Sequence, residues 1–407
     1  MLISGKDVLD GVGGHESYVR AHALAAGRAG LEPHVFCLSN RSQTTTAEFG
    51  AVHRVAPPLG LRLPAALHAP VLARDVVRFL AARPGPHVIH GFAIWAAAAV
   101  AAARTLVRRG VPAVALASAY GTRAFEVGAM QRGLRPHHGL AHRVRYRAWL
   151  QWIRLVDDRI EGWGYSRSKV ILVNYASVQR ILTSAYGSGL PIRRFPYASP
   201  DAIHGSDATS DFTVPQPIVR LGAGQAPLVL AVSRHDPRKG IDVLLLALAE
   251  LAASGIEFRA CLVGGGRLLD AHRRLAAELG LGAQVAITGR VEDVRPYYDC
   301  ADIFVLPSVA EASGSVSVLE ALRARTAVIA SACDGVPEDL TEASDALLVA
   351  PGDVHALGRA LATVLTDPER RARLAERGHA THEQKFSAAG FEAALASLYA
   401  ELMASAT

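Results

Sequence analysis

Residues 228–240 read Leu228-Val229-Leu230-Ala231-Val232-Ser233-Arg234-His235-Asp236-Pro237-Arg238-Lys239-Gly240. Five apolar residues form a buried strand, and a polar loop with a proline and a glycine leads from it into a helix. Apolar runs of the same kind recur at Arg259–Val263, Val285–Thr288, Ile303–Leu306, Ala327–Ala330 and Ala346–Val349, with helix-length segments between them. Such alternation predicts βαβ units and a parallel sheet. Two helices, Pro368–Lys385 and Ser387–Ala404, close the chain.

Working back from this stretch, the first half repeats the pattern. Strands are expected at Met1–Ser4, Pro33–Leu38, His87–His90, Ala113–Ala117, Lys169–Val173 and Ile192–Phe195. Helices are expected at His15–Ala29, Pro64–Ala82, Ile94–Arg109 and Ala176–Tyr186. Residues 199–226 break the alternation with Ser, Asp, Pro, Gly and Thr, as a domain boundary would. The expected fold class is α/β, with two Rossmann-like doubly wound parallel-sheet domains facing across a cleft. The divisions are 1–200, a linker at 201–226, and 227–385, followed by a terminal helix over 386–407. Ligands of open parallel sheets bind at the carboxyl ends of the strands.

Composition narrows the function. Of 407 residues half are hydrophobic and 20% are charged, enough apolar content for two full cores. Cys37, Cys261, Cys300 and Cys333 form no CxxC pair, which argues against a thiolate zinc site and fits a reducing compartment. No apolar run reaches the length of a membrane span, and the chain opens on Met1-Leu2-Ile3 without a preceding basic segment. No signal peptide and a cytoplasmic location are therefore expected. Charge is uneven: residues 1–200 hold 25 Lys and Arg against 10 Asp and Glu, and residues 201–407 hold 18 against 27. A basic first half suits an anionic partner, and a solvated arginine-rich surface accounts for it equally well.

Three loops can carry chemistry. Gly11-Val12-Gly13-Gly14 precedes the first helix, where glycines let a ligand approach free helix amides; a simple tight turn reads the same way. The second strand ends Phe36-Cys37-Leu38-Ser39-Asn40 without the acid that would hold the ribose of a dinucleotide, which disfavours a dehydrogenase. In the loop of the opening stretch, Arg234 and Lys239 can both point at the strand's carboxyl end and suit a pyrophosphate, although solvated loop charge is the alternative. The third loop runs Pro307-Ser308-Val309-Ala310-Glu311-Ala312-Ser313-Gly314-Ser315-Val316-Ser317-Val318-Leu319-Glu320. Here Ser313 or Gly314 is expected to cap a helix and leave the amides of Ser315 to Ser317 for a phosphate. Carboxylates on either side of a phosphate site fit a diphosphate with a sugar at each end, which is a nucleotide sugar.

In these residues the chain resembles the retaining glycosyltransferases of family 4, which have the GT-B fold. The resemblance rests on Gly13-Gly14, Arg234 with Lys239-Gly240, Val263-Gly264-Gly265-Gly266, Gly289-Arg290-Val291, Pro307-Ser308 and Glu311 with Glu320. It implies that Arg234 and Lys239 hold the donor's diphosphate and that Glu311 contacts hydroxyls of the transferred sugar. It places Glu320 at the ribose, Arg290 and Val291 at the base, and the backbone of Gly314, Ser315 and Val316 at the sugar and phosphate. The Gly13-Gly14 loop would close over the diphosphate from the first domain, Gly264 would also bind the donor, and the last helix would cross back to the first domain. The resemblance implies a UDP- or GDP-linked sugar as substrate, with no cofactor and no metal, and the chain has no DxD motif to hold one.

The sequence departs from the family at several points. Eight residues separate Glu311 from Glu320, one more than is usual, and Arg325 and Ala327 stand where a glycine and a proline are common. Tyr120 stands where many members carry a histidine next to the transferred sugar; its hydroxyl can hydrogen-bond a sugar but is a poor base at neutral pH. On the acceptor side, Tyr120, Arg123 and His90 are candidates, with a structural role for His90 as the alternative. The basic stretch Arg132 to Arg147, with Tyr146 and Trp149 beside it, fits an anionic glycan or lipid-linked acceptor, peripheral contact with the inner face of the cell membrane, or a plain solvated helix face. No RNA-binding motif accompanies the charge, so nucleic acid is not expected. The expected activity is hexosyl transfer to a glycan, glycolipid or small-molecule hydroxyl in cell-envelope polysaccharide or glycoconjugate synthesis. A sugar-nucleotide hydrolase or epimerase of the same fold, and a nucleotide-sugar-binding module without turnover, are the alternatives.

Overall fold

In the computed structural model, residues 1–10, 14–58, 60, 64–133, 140–197, 213–222 and 226–406 are described. The chain divides into two compact units. Unit 1 comprises Met1–Phe125, Trp149–Ser206 and Phe386–Thr407; unit 2 comprises Glu126–Ala148 and Asp207–Lys385.

Unit 1 is built on strands β1 (Leu2–Ile3), β2 (His34–Leu38), β3 (Gln43–Ala47), β4 (Gly50–Val55), β5 (His87–Phe92), β6 (Ala113–Ala119), β7 (Ile171–Val173) and β8 (Ile192–Arg194). They pair in the order β3-β4-β2-β1-β5-β6-β7-β8. All pairs are parallel except β3 with β4, an edge hairpin that the sequence reading leaves out. Helices α1 (Gly14–Arg28), α2 (Ala69–Leu80), α3 (Ala96–Arg108), α4 (Arg123–Arg132), α5 (Leu140–Leu155), α6 (Asp157–Arg167) and α7 (Ala176–Tyr186) follow in chain order, with residues 126–148 of α4 and α5 belonging to unit 2. The apolar run from Phe92 is not helical throughout: Phe92 ends β5, Ala93–Trp95 make a 3-10 turn, and the alanine-rich helix starts at Ala96. Small alanines let α3 lie close to the sheet, and most of its residues are buried.

Unit 2 restarts the pattern with α8 (Gln216–Arg220), β9 (Leu228–Val232), α9 (Ile241–Ala253), β10 (Arg259–Val263), α10 (Leu269–Glu278), β11 (Val285–Gly289), α11 (Arg295–Asp299), β12 (Ile303–Leu306), α12 (Val316–Arg323), β13 (Ala327–Ser331), α13 (Val336–Asp339), β14 (Leu347–Val349), α14 (Val354–Thr366) and α15 (Pro368–Lys385). Its six strands are parallel in the order β11-β10-β9-β12-β13-β14. Helices cover these strands, so they read as unbroken apolar runs rather than alternating ones. Leu244 and Leu248 of α9 and Leu361 and Val364 of α14 pack into one core with the sheet. Each such side chain contributes roughly 1.5–3 kcal/mol, which fixes the strands whose ends carry the site.

The final helix, α16 (Ala388–Ala404), starts at Ser387, whose side chain accepts from the Gly390 amide. It buries Phe391, Leu395, Leu398 and Tyr399 in the core of unit 1, beside Tyr18 and Val19 of α1. Residues 126–148, placed by sequence in the first domain, cluster with unit 2 instead. The cause is local: Glu126 faces Arg234 and Arg238, and Gly133 lies against the backbone of Pro237 so closely that a Cβ there would meet the Pro237 carbonyl oxygen at 2.0 Å. Most of the expected linker lies outside the described residues; within it, α8 packs on β11.

Candidate active site

The strand order of unit 2 reverses at β9, which lies between β10 and β12. Loops after β9 and β12 therefore lead off to opposite sides and leave a crevice at the carboxyl edge of the sheet. These are the two loops in which the sequence concentrates charge.

After β9, Asp236 caps the short 3-10 turn Pro237–Lys239 by accepting from the Arg238 amide. Gly240 follows at φ 60°, and a Cβ there would stand 2.0 Å from the carbonyl oxygen of Pro307. Only glycine combines that left-handed turn with so close a backbone approach. The two loops are also tied by the Val309 amide, which donates to the Arg238 carbonyl at 2.8 Å. As a result, Lys239 Nζ reaches both carboxylate oxygens of Glu311, at 2.5 and 2.7 Å. Ser308 Oγ donates to the same carboxylate.

Glu311 is fixed from its backbone side as well. Its amide and that of Ala312 donate to Asp334 Oδ2 at 2.7 and 2.9 Å. Ala312 and Asp334 sit at φ 71° and 49°, an unusual conformation for residues other than glycine, and such strain collects at functional sites. Burial alone would push the Glu311 carboxyl up. The Lys239 and Arg238 charges, with hydrogen bonds from Lys239 and Ser308, outweigh burial and hold it below its ordinary value. Arg238 answers the same logic: burial opposes its charge, while Asp236, Glu126 and Glu311 hold its pKa above the ordinary guanidinium value. Arg234 is half exposed; its Nη2 lies 3.5 Å from Glu126 Oε1 and 3.6 Å from Asp236 Oδ2.

The neighbouring loops meet at the same edge. The Gly264 amide donates to the Gly289 carbonyl and the His235 amide to the Gly265 carbonyl, both at 2.9 Å. A Cβ on Gly264 would lie 1.9 Å from the Ser233 carbonyl oxygen, and one on Gly265 would touch Arg290. The structure thus brings Gly264 beside the Arg234 loop and Arg290 beside Gly265. Glu320 lies on α12, where Tyr298 Oη donates to its Oε2 at 2.8 Å. The α12 cap is Ser315, later than Ser313 or Gly314, and its hydroxyl pairs with that of Ser317 at 2.9 Å. The Val318 amide is taken by the Ser315 carbonyl, which leaves the amides of Val316 and Ser317 without an acceptor among the described residues. Gly314, Ser315 and Val316 therefore sit where a helix N-terminus offers donors to an anion. Asp236, Arg238, Ser308, Asp334 and Tyr298 complete the site, although sequence reasoning gave none of them a role. The acid three residues before Lys239 and the tyrosine pair Tyr297-Tyr298 were the available signals. Among the described residues no group of three or more His, Cys, Asp and Glu is placed to hold a metal ion.

Unit 1 treats its candidates differently. Gly13 lies outside the described residues, and Gly14 opens α1. His90 does not line a cleft. It is fully buried, with Nδ1 2.9 Å from Tyr399 Oη and Nε2 2.8 Å from Ser118 Oγ, and burial drives its pKa well below the ordinary value. With both nitrogens occupied it is a structural histidine. Tyr120 packs its ring edge-on against Tyr18 and His15, and burial raises its hydroxyl pKa well above 10. That hydroxyl is shielded from solvent, although the residue as a whole is half-buried. Arg123 opens α4, with its guanidinium near Asp157 and over the ring of Trp149. His137 and His138 of the basic stretch lie outside the described residues.

Two doubly wound parallel-sheet units, one with paired cations and carboxylates at its switch point, define a GT-B protein. Solved structures agree on the fold. Sucrose-phosphate synthase from Thermosynechococcus elongatus aligns with a TM-score of 0.75 at 23% identity, covering 99% of this chain and 98% of that one. WaaG, a glycosyltransferase involved in lipopolysaccharide biosynthesis, aligns at 0.70 with 18% identity, covering 99% and 98%. HepE of Anabaena in complex with UDP-glucose aligns at 0.68 with 17% identity, covering 98% of each. The family model for group 1 glycosyl transferases matches residues 219–381, and that for glycosyltransferase family 4 matches residues 12–198. The chain belongs to glycosyltransferase family 4.

Among curated relatives, the lipopolysaccharide core biosynthesis glycosyltransferase LpsE of Rhizobium meliloti is 33% identical over 180 residues, which is 44% of this chain and 50% of that one. A GDP-mannose-dependent alpha-(1-6)-phosphatidylinositol monomannoside mannosyltransferase of Mycolicibacterium smegmatis is 32% identical over 167 residues, 39% and 44% of the two chains. The match spans about half the length of these relatives. No helix among the described residues is long and apolar enough to cross a membrane.

Proposed function

We propose that the chain is a retaining glycosyltransferase that moves a sugar from a UDP- or GDP-linked donor to a hydroxyl of a glycan or lipid-linked acceptor. The observation that carries this reading is the convergence of Lys239, Arg238 and Glu311 at the switch point of unit 2, beside the open amides of α12. A diphosphate entering there meets fixed cations and helix amides that need no rearrangement to take its charge. Glu311, kept ionised, accepts hydrogen bonds from sugar hydroxyls, and Glu320 is oriented by Tyr298 to do the same for a ribose.

In the transfer, the bond between the anomeric carbon and the diphosphate oxygen breaks. A bond from that carbon to the acceptor oxygen forms on the same face, and the acceptor proton passes to the departing phosphate. No protein base is required in such a transfer. Lys239 and Arg234 stabilise the departing charge, so the reading invokes neither cofactor nor metal. The relatives named for lipopolysaccharide core and phosphatidylinositol mannoside synthesis support an envelope acceptor with anionic groups, used at the cytoplasmic face of the membrane.

The test is a thermal-shift panel of nucleoside diphosphates and nucleotide sugars, with Lys239→Ala as control. Ligand at ~100 times its dissociation constant adds ~2.7 kcal/mol to the folded state. A shift with one base that is lost in the variant identifies the donor, and the anomeric configuration of a product made from it reports retention. No shift with any of them removes the reading. Release of free sugar without an acceptor would favour the hydrolase, and binding without turnover the non-catalytic module.

A further inference from the structure

Strands β12 and β13 are parallel neighbours, with Leu306 opposite Ala330, so the loops that leave their carboxyl ends run side by side. One loop carries Glu311 and the other Asp334. They meet through a single carboxylate oxygen: Asp334 Oδ2 accepts the Glu311 amide at 2.7 Å and the Ala312 amide at 2.9 Å. Successive amides converge on one anion only where the chain turns, and Ala312 makes that turn at φ 71°. Asp334 is left-handed too, at φ 49°. Both conformations are disfavoured for a residue with a Cβ and persist only where the surroundings hold them. The Asp334 loop has its own support. The Cys333 amide donates to the Ser331 carbonyl at 2.8 Å and the Val336 amide to the Cys333 carbonyl at 3.0 Å, with Cys333 and Gly335 buried.

We propose that Asp334 is a positioning residue: through the main chain it keeps Glu311 at the transferred sugar while Lys239 serves the diphosphate. The inference rests on the donor reading above and deepens it. Glu311 hydrogen-bonds two charged side chains, and they differ once a donor is bound. Lys239 grips the carboxylate, and a diphosphate draws on the same ammonium. Asp334 grips the backbone, for which the donor does not compete, so its hold stays whole. Ser308 adds a bond to the carboxylate but none to the turn behind it. Without Asp334 nothing offsets the left-handed conformation of Ala312; the turn relaxes and carries the Glu311 carboxylate away from the sugar. The diphosphate keeps its own partners, because Arg234 and Lys239 are placed by the loop after β9 and the open amides by α12. The loss therefore falls on the sugar and not on the nucleotide.

Calorimetric titration of the full chain compares UDP with UDP-glucose and GDP with GDP-mannose, and the ratio of affinities within each pair isolates the sugar. Asp334→Ala should keep its affinity for the nucleoside diphosphate within about twofold and lose at least about tenfold for the nucleotide sugar, the worth of two hydrogen bonds to a charged group. Asp334→Asn keeps one oxygen for both amides and should recover part of the ratio. Ala312→Gly added to Asp334→Ala frees the turn of its strain and should recover part as well. Should Asp334→Ala fail to fold, these two variants carry the same comparison. A ratio unchanged from wild type in the folded variants overturns the inference and leaves the diphosphate site standing. Equal losses for nucleotide and nucleotide sugar make Asp334 a support of the fold and overturn it too. A folded wild type that binds no nucleotide removes the donor reading and the inference with it.

Discussion

Lys239 Nζ lies within hydrogen-bonding distance of both oxygens of Glu311, 72 residues away, and the two form a nearly buried ion pair. Desolvation of such a pair cancels much of its attraction, so its worth to stability is small while it stays whole. Removing one partner is a different matter. Lys239→Ala leaves the Glu311 carboxylate buried with Ser308 and more distant Arg238, and should cost about 3 kcal/mol in denaturant unfolding. The double variant Lys239→Met/Glu311→Leu should recover most of that loss and still give no transfer. A double variant as unstable as Lys239→Ala would show that the pair holds the fold and that its place in the site is incidental.

Acid should reveal the same pair. The Glu311 pKa is held below its ordinary value, so its contribution to stability is present above about pH 4.5 and is lost as pH falls through the depressed value. Glu311→Gln should flatten that acid limb.

Glu161 predicts the opposite slope at higher pH. Its carboxyl is fully buried in unit 1, where it accepts from Tyr186 Oη at 2.8 Å and from Tyr165 Oη at 3.2 Å. Burial raises its pKa to about 7, against the hydrogen bonds that favour the ionised form. A raised folded pKa means that the native state binds more protons than the unfolded chain between about pH 4.5 and 7. The stability this supplies is whole below that window and is lost as pH rises through it, by roughly 3 kcal/mol for a shift of this size. Glu161→Gln should therefore gain on wild type as pH climbs from 5 to 8. Parallel pH–stability curves for the two proteins would contradict the assignment.

Glu126 stands beside Arg234 and Arg238, the cations that the proposed diphosphate would meet. Its charge competes with the ligand for the exposed Arg234 guanidinium. Glu126→Gln should tighten nucleoside diphosphate binding two- to fivefold at low salt, the size expected for an exposed ion pair, with the gain fading as salt is raised. Calorimetric titration in two salt concentrations checks it, and weaker binding in the variant would make Glu126 a support of the loop rather than a competitor.

What the sequence reveals follows from where each element sits. Strands β9, β10 and β12 are covered on both faces, so their apolar runs stand out and their limits match the residues read as strand. Hairpin β3–β4 is an edge with a polar face, and Gln43-Thr44-Thr45-Thr46-Ala47 carries no apolar signal. Lys239 and Glu311 were legible because both lie in loops at strand ends, where charge has few structural uses. Tyr120 lies just beyond a strand end and His90 is read as lying at one, but β5 runs on to Phe92, and the partner that settles His90 is Tyr399, 309 residues away on the last helix. No local pattern encodes that contact. Asp334 was invisible for a similar reason: its hold on the Glu311 amide depends on two loops meeting, not on spacing.

Two residues share one backbone conformation and should respond to substitution with opposite signs. Gly240 and Arg325 sit at φ 60° and 54°, in the left-handed region that costs an ordinary residue about 1–2 kcal/mol. At Arg325 the side chain is largely exposed and its ion pair with Glu376 is a solvent-screened contact at 3.7 Å. Arg325→Gly removes the strain and adds back ~0.5–1 kcal/mol of unfolded-chain entropy, so a net gain of up to ~1 kcal/mol is expected. Gly240→Ala introduces the strain and also drives a methyl to 2.0 Å from the Pro307 carbonyl oxygen, which is backbone and cannot swing aside. The loops after β9 and β12 must then part, and Lys239 loses its register with Glu311. The expected result is a loss of at least ~2 kcal/mol in unfolding together with loss of the nucleoside diphosphate thermal shift. Arg325→Gly should leave that shift intact. A Gly240→Ala protein with wild-type ligand response would mean that the close approach to Pro307 does not set the geometry of the pair.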